Sequence, residues 1–387
     1  MNTRFKSFWK LVLGLLFLYL LFLFFTNFFL FFSLLTPKQI EPLPPEEISL
    51  PPLPASQEPL PVNDSILDSS PAAPLLKSTN ITHLQNATLP NPTAYFSCIE
   101  SSAPYKIYCF GGYLGPTTTF RTISEYDLQR KSDRILNIEM PYVVDYLSCV
   151  DSSITHNVYC FGGRDGSTFH PDIVMYNPRQ QIVTKKTDMP SGRAHFSCTE
   201  SSATHKIYCF GGGGSGSLLD EILAYDPLLN SVKIMKTRLP TPRYQVSCAD
   251  SSLTKKIYCF GGAENSVTGQ AQRIDKIIAY DPTTDTFSTM QARLPTPRRL
   301  LSCLEDPSSH EIYCFGGDDA EKIFYDDILR YDPATDSIEV VSHLPSPRTG
   351  LSCAKDSQSS SFYCFGGIDK NGLLLDDIFS YTPKKAA

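Results

Sequence analysis

Read as a pattern of hydrophobic and polar positions, the chain falls into three unlike stretches. Residues 11–35 (LVLGLLFLYLLFLFFTNFFLFFSLL) carry no charge at all. As a helix rising about 1.5 Å per residue, the run would reach about 37 Å, enough to cross a hydrocarbon core of about 30 Å with some tilt. Residues 36–78 have no helical or strand period and hold 11 of the 30 prolines. Proline fixes φ and removes a donor, so this part is expected as an extended, polyproline-like stalk. From residue 79 onward, short apolar runs alternate with turn residues. In one stretch, AHFSCTES (194–201), KIYCFGG (206–212), EILAYD (221–226) and SVKIMKT (231–237) read as four strands in succession.

The pattern then repeats. Tyr-Cys-Phe-Gly-Gly occurs six times, with its first glycine at Gly111, Gly162, Gly211, Gly261, Gly316 and Gly366. A tyrosine follows each copy, at Tyr126, Tyr176, Tyr225, Tyr280, Tyr331 and Tyr381, several of them continuing as Tyr-Asp-Pro. MPSGR (189–193), LPTPR (239–243 and 294–298) and LPSPR (344–348) precede four of the units. Four strands recurring every 50 residues or so predict a propeller blade.

The double glycine ending the second strand, the later tyrosine with Asp-Pro, and the arginine ahead of the next first strand resemble the kelch family over residues 79–387. The resemblance implies an all-β, six-bladed β-propeller. It departs from the family in one respect: the usual fourth-strand tryptophan is missing, since Trp9 is the only tryptophan, and Val183, Val232, Phe287 and Ile338 stand near that position. Smaller side chains there imply thinner packing between blades. The sixth unit ends soon after Tyr381 without a fourth strand, whereas TLPNPTAYFSC (88–98) aligns with RLPTPRYQVSC (238–248). Residues 79–88 are therefore expected to close the last blade and remove an open sheet edge.

The twelve cysteines form six pairs spaced alike: Cys98/Cys109, Cys149/Cys160, Cys198/Cys209, Cys248/Cys259, Cys303/Cys314 and Cys353/Cys364. In a symmetric hairpin with its turn at Ala203-Thr204, Cys198 faces Cys209 across neighbouring strands, close enough to bond. Six disulfides within blades are the expectation; small buried hydrophobes and, less well supported by the spacing, metal ligands are the alternatives.

Charge sets the topology. Arg4, Lys6 and Lys10 precede the apolar run and only Lys38 follows it closely. The expected arrangement is a cytoplasmic tail (1–10), an uncleaved signal anchor (11–35), a stalk (36–78) and a propeller on the lumenal or extracellular side. A cleavable signal peptide is the rival, but neither its shorter apolar core nor an A-x-A-like site is visible. Three sequons at Asn63, Asn80 and Asn86 agree with a single-pass glycoprotein in the secretory pathway or at the cell surface.

A net charge of -6 without a basic block argues against nucleic acid as partner. No hydrolase elbow, Walker loop or zinc-protease motif occurs, and the GGGGSGS run (211–217) is not followed by a helical pattern. No metal or other cofactor is expected. In kelch propellers the segments joining blades cross the mouth of the central channel. That resemblance makes Arg193, Arg243, Arg298 and Arg348 either a ring that grips anions or a set of locks between blades, with Thr93 and Val144-Asp145 in the same register of the first two units. Asp220-Glu221, Asp326-Asp327 and Asp376-Asp377 resemble the family's third-strand entry and are read as structural. The loops after each double glycine differ most among copies, which suits recognition. A membrane-tethered module binding a protein or glycan is the leading expectation. The alternative is a carbohydrate-active enzyme, since kelch-like propellers also carry copper-dependent galactose oxidase activity and sialic acid mutarotation. The oxidase's ligand set has no match here; a mutarotase would need groups such as Arg243 or Arg298 with Glu264 or His170.

Overall fold

A computed structural model describes residues 81–101, 106–115, 118–214, 216–265 and 271–384. The expected tail, anchor and stalk, with Asn63 and Asn80, lie outside the described residues. No helix among the described residues is long and apolar enough to cross a membrane.

Six four-stranded antiparallel sheets, with five short two-stranded ribbons, make up the sheet structure of the described residues. Blade 1 runs Ser97–Glu100, Lys106–Phe110, Thr122–Asp127 and Ser132–Glu139, and blade 2 runs Ser148–Asp151, Val158–Phe161, Asp172–Asn177 and Ile182–Asp188. Blade 3 is Ser197–Glu200, Ile207–Phe210, Glu221–Asp226 and Ser231–Arg238, and blade 4 is Ser247–Ser251, Lys256–Phe260, Lys276–Asp281 and Thr286–Arg293. Blade 5 is Ser302–Glu305, Ile312–Phe315, Asp327–Asp332 and Ser337–His343. Blade 6 takes Ser352–Asp356, Ser361–Phe365 and Asp377–Tyr381 from the C-terminal end and its outermost strand, Ile81–Thr88, from the other end. Ile81 pairs with Tyr381 and Thr88 with Asp377, so this strand runs toward the channel end that carries the double glycines. Asn86 lies within it.

The core lies between blades rather than within them. Each of six apolar clusters draws on two neighbouring blades, as where Cys98, Phe96 and Tyr126 of blade 1 meet Tyr363, Phe365 and Ile378 of blade 6. The third-strand tyrosine turns the edge of its ring toward the second-strand phenylalanine of the preceding blade. Tyr225 meets Phe161 at 5.6 Å and 78°, Tyr280 meets Phe210 at 5.6 Å and 76°, and Tyr331 meets Phe260 at 5.4 Å and 77°. Such edge-to-face pairs contribute about 0.5–1.5 kcal/mol beyond burial. Val183, Val232, Phe287 and Ile338, at the place of the missing tryptophan, each lie opposite such a tyrosine on the fourth strand.

All six cysteine pairs are disulfides: Cys98–Cys109, Cys149–Cys160, Cys198–Cys209, Cys248–Cys259, Cys303–Cys314 and Cys353–Cys364. Each pair is directly opposed in the inner hairpin, with Cα atoms 4.0–4.1 Å apart. The second-strand members Cys160, Cys209, Cys259, Cys314 and Cys364 are only 0–2% exposed. That burial removes them from any candidate site: a sulfur bonded within the hairpin and packed between blades meets no ligand and has no thiolate to offer a metal. Their role is in the core, as both staple and apolar filling.

The double glycine has an equally local cause. At Gly211 a Cβ would fall 2.4 Å from the carbonyl oxygen of Arg243, where the segment entering the next blade crosses over it. That carbonyl accepts the N–H of Gly212 at 2.9 Å. Only glycine admits both the crossing and the positive φ of +64°.

Candidate functional site

Two closed belts define the channel. Immediately before each innermost strand lies one residue of positive φ: Tyr95, Tyr146, His195, Gln245, Leu300 and Gly350. Their backbones form a circle, in which each N–H donates to the carbonyl of its counterpart in the preceding blade, from Tyr146 to Tyr95 at 2.8 Å round to Tyr95 on Gly350 at 2.9 Å. Two residues further on, the serine of every Ser-Cys dipeptide accepts the N–H of the next blade's cysteine. Ser97 thus receives Cys149, Ser148 receives Cys198, Ser197 receives Cys248, Ser247 receives Cys303, Ser302 receives Cys353 and Ser352 receives Cys98, all at 2.8–3.0 Å. These rings surround a cavity of about 150 Å³.

The backbone repeats, but its side chains do not. At the six equivalent belt positions stand two tyrosines, a histidine, a glutamine, a leucine and a glycine. Tyr95 and Tyr146 stack at 4.2 Å and 18°, and Tyr146 meets the His195 ring at 3.7 Å. The glycine is a steric partner of this stack, since a Cβ on Gly350 would lie 2.5 Å from the Tyr95 ring. Arg164 lies over Tyr146, its guanidinium carbon 4.8 Å from the ring centre, and donates to Asp145 at 3.0 Å. On the other side Arg299 donates to Asp318 at 2.9 Å and to Gln245 Oε1 at 2.7 Å, and Asp318 also accepts from Thr349 at 2.8 Å. An arginine can only donate, so Gln245 turns its amide nitrogen toward His195 Nδ1, 3.3 Å away. Nδ1 therefore carries a lone pair. Burial, with Arg164 and Arg299 nearby, pushes His195 down to about 3, so the imidazole is neutral at physiological pH. Burial likewise raises Tyr95 and Tyr146.

The four repeated arginines are not at the mouth, which corrects the anion-ring expectation. Arg193, Arg243, Arg298 and Arg348 are only 0–1% exposed and point into the wall. Arg193 donates to Glu221 at 2.7 Å, Arg298 to Asp327 at 2.9 Å, and Arg348 to both oxygens of Asp377 at 2.6 and 3.0 Å. Three of the acids at the third-strand entry are thus the counter-ions of the arginine at the start of the same blade. Blade 4 breaks the rule. Lys276 occupies the acid's place, and among the described residues Arg243 keeps only a 3.5 Å contact to Thr241, with Nε and Nη1 unpartnered. Blade 1 lacks both partners, having Thr93 and Thr122, and a small cavity of about 30 Å³ opens there. In blade 2, where Val144 replaces the arginine, Asp172 turns to Lys185 at 2.6 Å.

The groups considered for sugar chemistry are scattered. Arg298 is committed to Asp327, and His170 stacks on Tyr142 at 3.8 Å beside Asp172. Glu264 accepts from the Thr241 hydroxyl, which links it to Arg243. The glycine run forms a short ribbon, Gly213–Gly214 with Ser217–Leu218. Among the described residues, Asp326, Asp327 and His343 approach closely enough to share a cation, though Asp327 is already paired with Arg298. Two Ser–His contacts in the turns at the opposite end, Ser153–His205 at 3.2 Å and Ser252–His310 at 2.8 Å, use Nδ1. In the second, Ser252 donates to Glu305, so its oxygen is an acceptor toward the histidine rather than an activated nucleophile.

The sequence matches the KLHDC2/KLHL20/DRC7 Kelch-repeats domain over residues 180–367 and the Kelch motif over residues 148–190. The chain belongs to the kelch-repeat family. Among solved structures, the kelch propeller superimposes on one titled "Structure of YjhT" with a TM-score of 0.62 and 15% identity, covering 77% of this chain and 97% of the other. That likeness speaks for the six-bladed fold alone. A search of curated proteins returned no match.

Proposed function

We propose that this kelch propeller is a binding module for a protein or glycan, carried on a single-pass anchor with its N-terminus cytoplasmic and its blades in the lumen or outside the cell. The observation that carries the reading is the mouth. Two belts of hydrogen bonds hold six equivalent positions, and those positions carry unlike side chains, an aromatic platform on one side and Gln245, Leu300 and Gly350 on the other, with a guanidinium–carboxylate pair beside each. A rigid frame with varied contact groups suits recognition. The tether supports the same reading. Ile81 starts its strand at the end of the blade opposite the mouth. Six disulfides and cationic residues ahead of the apolar run agree with an oxidising compartment.

The enzyme reading has less support. His195, with a pKa of about 3, is a weak base, and Asp145 and Asp318 are each held by an arginine. The test uses the full chain in detergent on glycan and peptide arrays, beside Tyr146→Ala and His195→Ala. Selective binding lost in both variants supports the module. Turnover of a sugar, or binding that both variants retain, overturns it. Protease protection in sealed vesicles checks the topology separately.

A further inference from the structure

We infer that Arg273 is the ligand-binding half of an oxyanion site at the rim between blades 4 and 5, made to receive a carboxylate or sulfate group. This rests on the mouth being the recognition face and names the chemistry taken there.

Asp318 is 3% exposed and has both oxygens in use, Oδ1 by Arg299 and Oδ2 by Thr349. Arg273 arrives as a second guanidinium. Its Nη2 is 3.9 Å from the oxygen already bound to Arg299, its Nε has no partner among the described residues, and its side chain is only 11% exposed. A buried guanidinium with unmet donors is costly, and a carboxylate whose acceptors are taken offers it little. Burial and the Arg299 charge both act to lower its pKa, against Asp318, Tyr244 and Asp319. The rim therefore holds one planar donor fork more than it has acceptors in contact. An incoming oxyanion supplies acceptors in the matching two-pronged geometry.

The frame that presents Arg273 is also built. It ends the ribbon Ala263–Asn265/Ala271–Arg273, in which Ala263 pairs with Arg273 and Glu264 with Gln272. Glu264 is fastened to Thr241 and drawn by the Arg243 charge that Lys276 leaves unanswered. Glu264 is thus a positioning residue. The peculiarity of blade 4 in the wall and the surplus arginine at its rim are connected through this one ribbon.

The experiment uses the full chain in detergent micelles and needs no natural ligand, so it can fail independently of the arrays. Unfolding midpoints are measured while sodium sulfate or sodium acetate replaces chloride at constant ionic strength. At about five times the dissociation constant, a single site raises the midpoint of a domain this size by about 2 °C. That rise is expected for the wild type and for Arg130→Gln, a remote control for charge. It should vanish in Arg273→Gln and weaken in Arg273→Lys, which keeps charge and packing without the fork. Glu264→Gln should respond only at several-fold higher anion. Acetate alone, sulfate alone or both decides which oxyanion fits. A wild type indifferent to both, or an Arg273→Gln response equal to wild type (an adventitious ion only), overturns the site.

Discussion

The amide of Cys98 donates to Ser352 Oγ at 2.8 Å across 254 residues of sequence. With it the serine belt closes, and every blade is joined to both neighbours beside its own disulfide. Ser352→Ala leaves that buried N–H without an acceptor, at a cost of about 1–3 kcal/mol, or a fall in midpoint of about 2–6 °C. Ser288→Ala, on an exposed outer strand, should change stability by less than about 0.5 kcal/mol. Thermal unfolding of the two variants side by side is the check; equal midpoints would mean that the belt adds nothing.

Closure at larger radius depends on Ile81–Thr88. Loss of this strand and of the residue after it exposes the Asp377–Tyr381 edge and removes Ala87 and Leu89, which are 4% and 5% exposed, from the cluster between blades 6 and 1. A chain beginning at Ala94 should lose about 5 kcal/mol or more relative to one beginning at Ser78. It should also associate through the bared edge. Denaturant midpoints and light scattering together test this, and matching midpoints would defeat it.

How much of this was legible in the sequence depended on distance along the chain. Cysteine register needs only the hairpin, so Cys198 opposite Cys209 follows from a turn a few residues away. The place of Ile81–Thr88 follows from alignment within the repeat. The direction of Arg243 and its three counterparts did not follow, because a repeat fixes register without saying which way a side chain turns from the crossing segment. The acids that face three of them were visible, but the spacing of 28 or 29 residues to Glu221, Asp327 and Asp377 marks each as a pair only once the side-chain direction is known. The serine belt left a signal in the six Ser-Cys dipeptides, each answering a partner in the adjacent blade. His195, Gln245, Arg299 and Arg273 left none, since they belong to what differs between units.

The exception in blade 4 gives a prediction of opposite sign. Lys276→Asp supplies Arg243 with the acid found in blades 3, 5 and 6, and should raise stability by about 1 kcal/mol, or about 2 °C. An acid beside a guanidinium has its folded pKa held below the unfolded value of about 3.9. The gain is therefore present above that pH and lost as pH falls through the folded pKa. Arg348→Met strands Asp377 and should cost about 3 kcal/mol, whereas Arg243→Met should cost less than about 1 kcal/mol. Equal losses for the two arginines would show that Arg243 has a partner of its own.

His195 at the mouth and Asp250 at the far end of a blade make opposite contributions to the response to acid. His195 is held at about 3 by burial, with Arg164 and Arg299 acting in the same direction. Its unfolded value is about 6.5, so between the two values unfolding takes up a proton. The contribution is complete above about 6.5 and is lost as pH falls toward 3. Asp250, at the opposite end of the innermost strand, is pushed up to about 6 by burial against the Ser202 hydrogen bond. For this raised carboxyl the stabilising contribution is complete below about 3.9 and is lost as pH rises through 6. His195→Gln takes the side chain that Gln245 already carries at the same positive φ, which limits backbone strain. Relative to the wild type it should gain about 2–4 °C on going from pH 7 to pH 5, while Asp250→Asn should lose ground over the same interval. Unfolding midpoints measured from pH 4 to 7.5 separate the two limbs. Parallel curves for His195→Gln and wild type would mean that the imidazole titrates alike folded and unfolded.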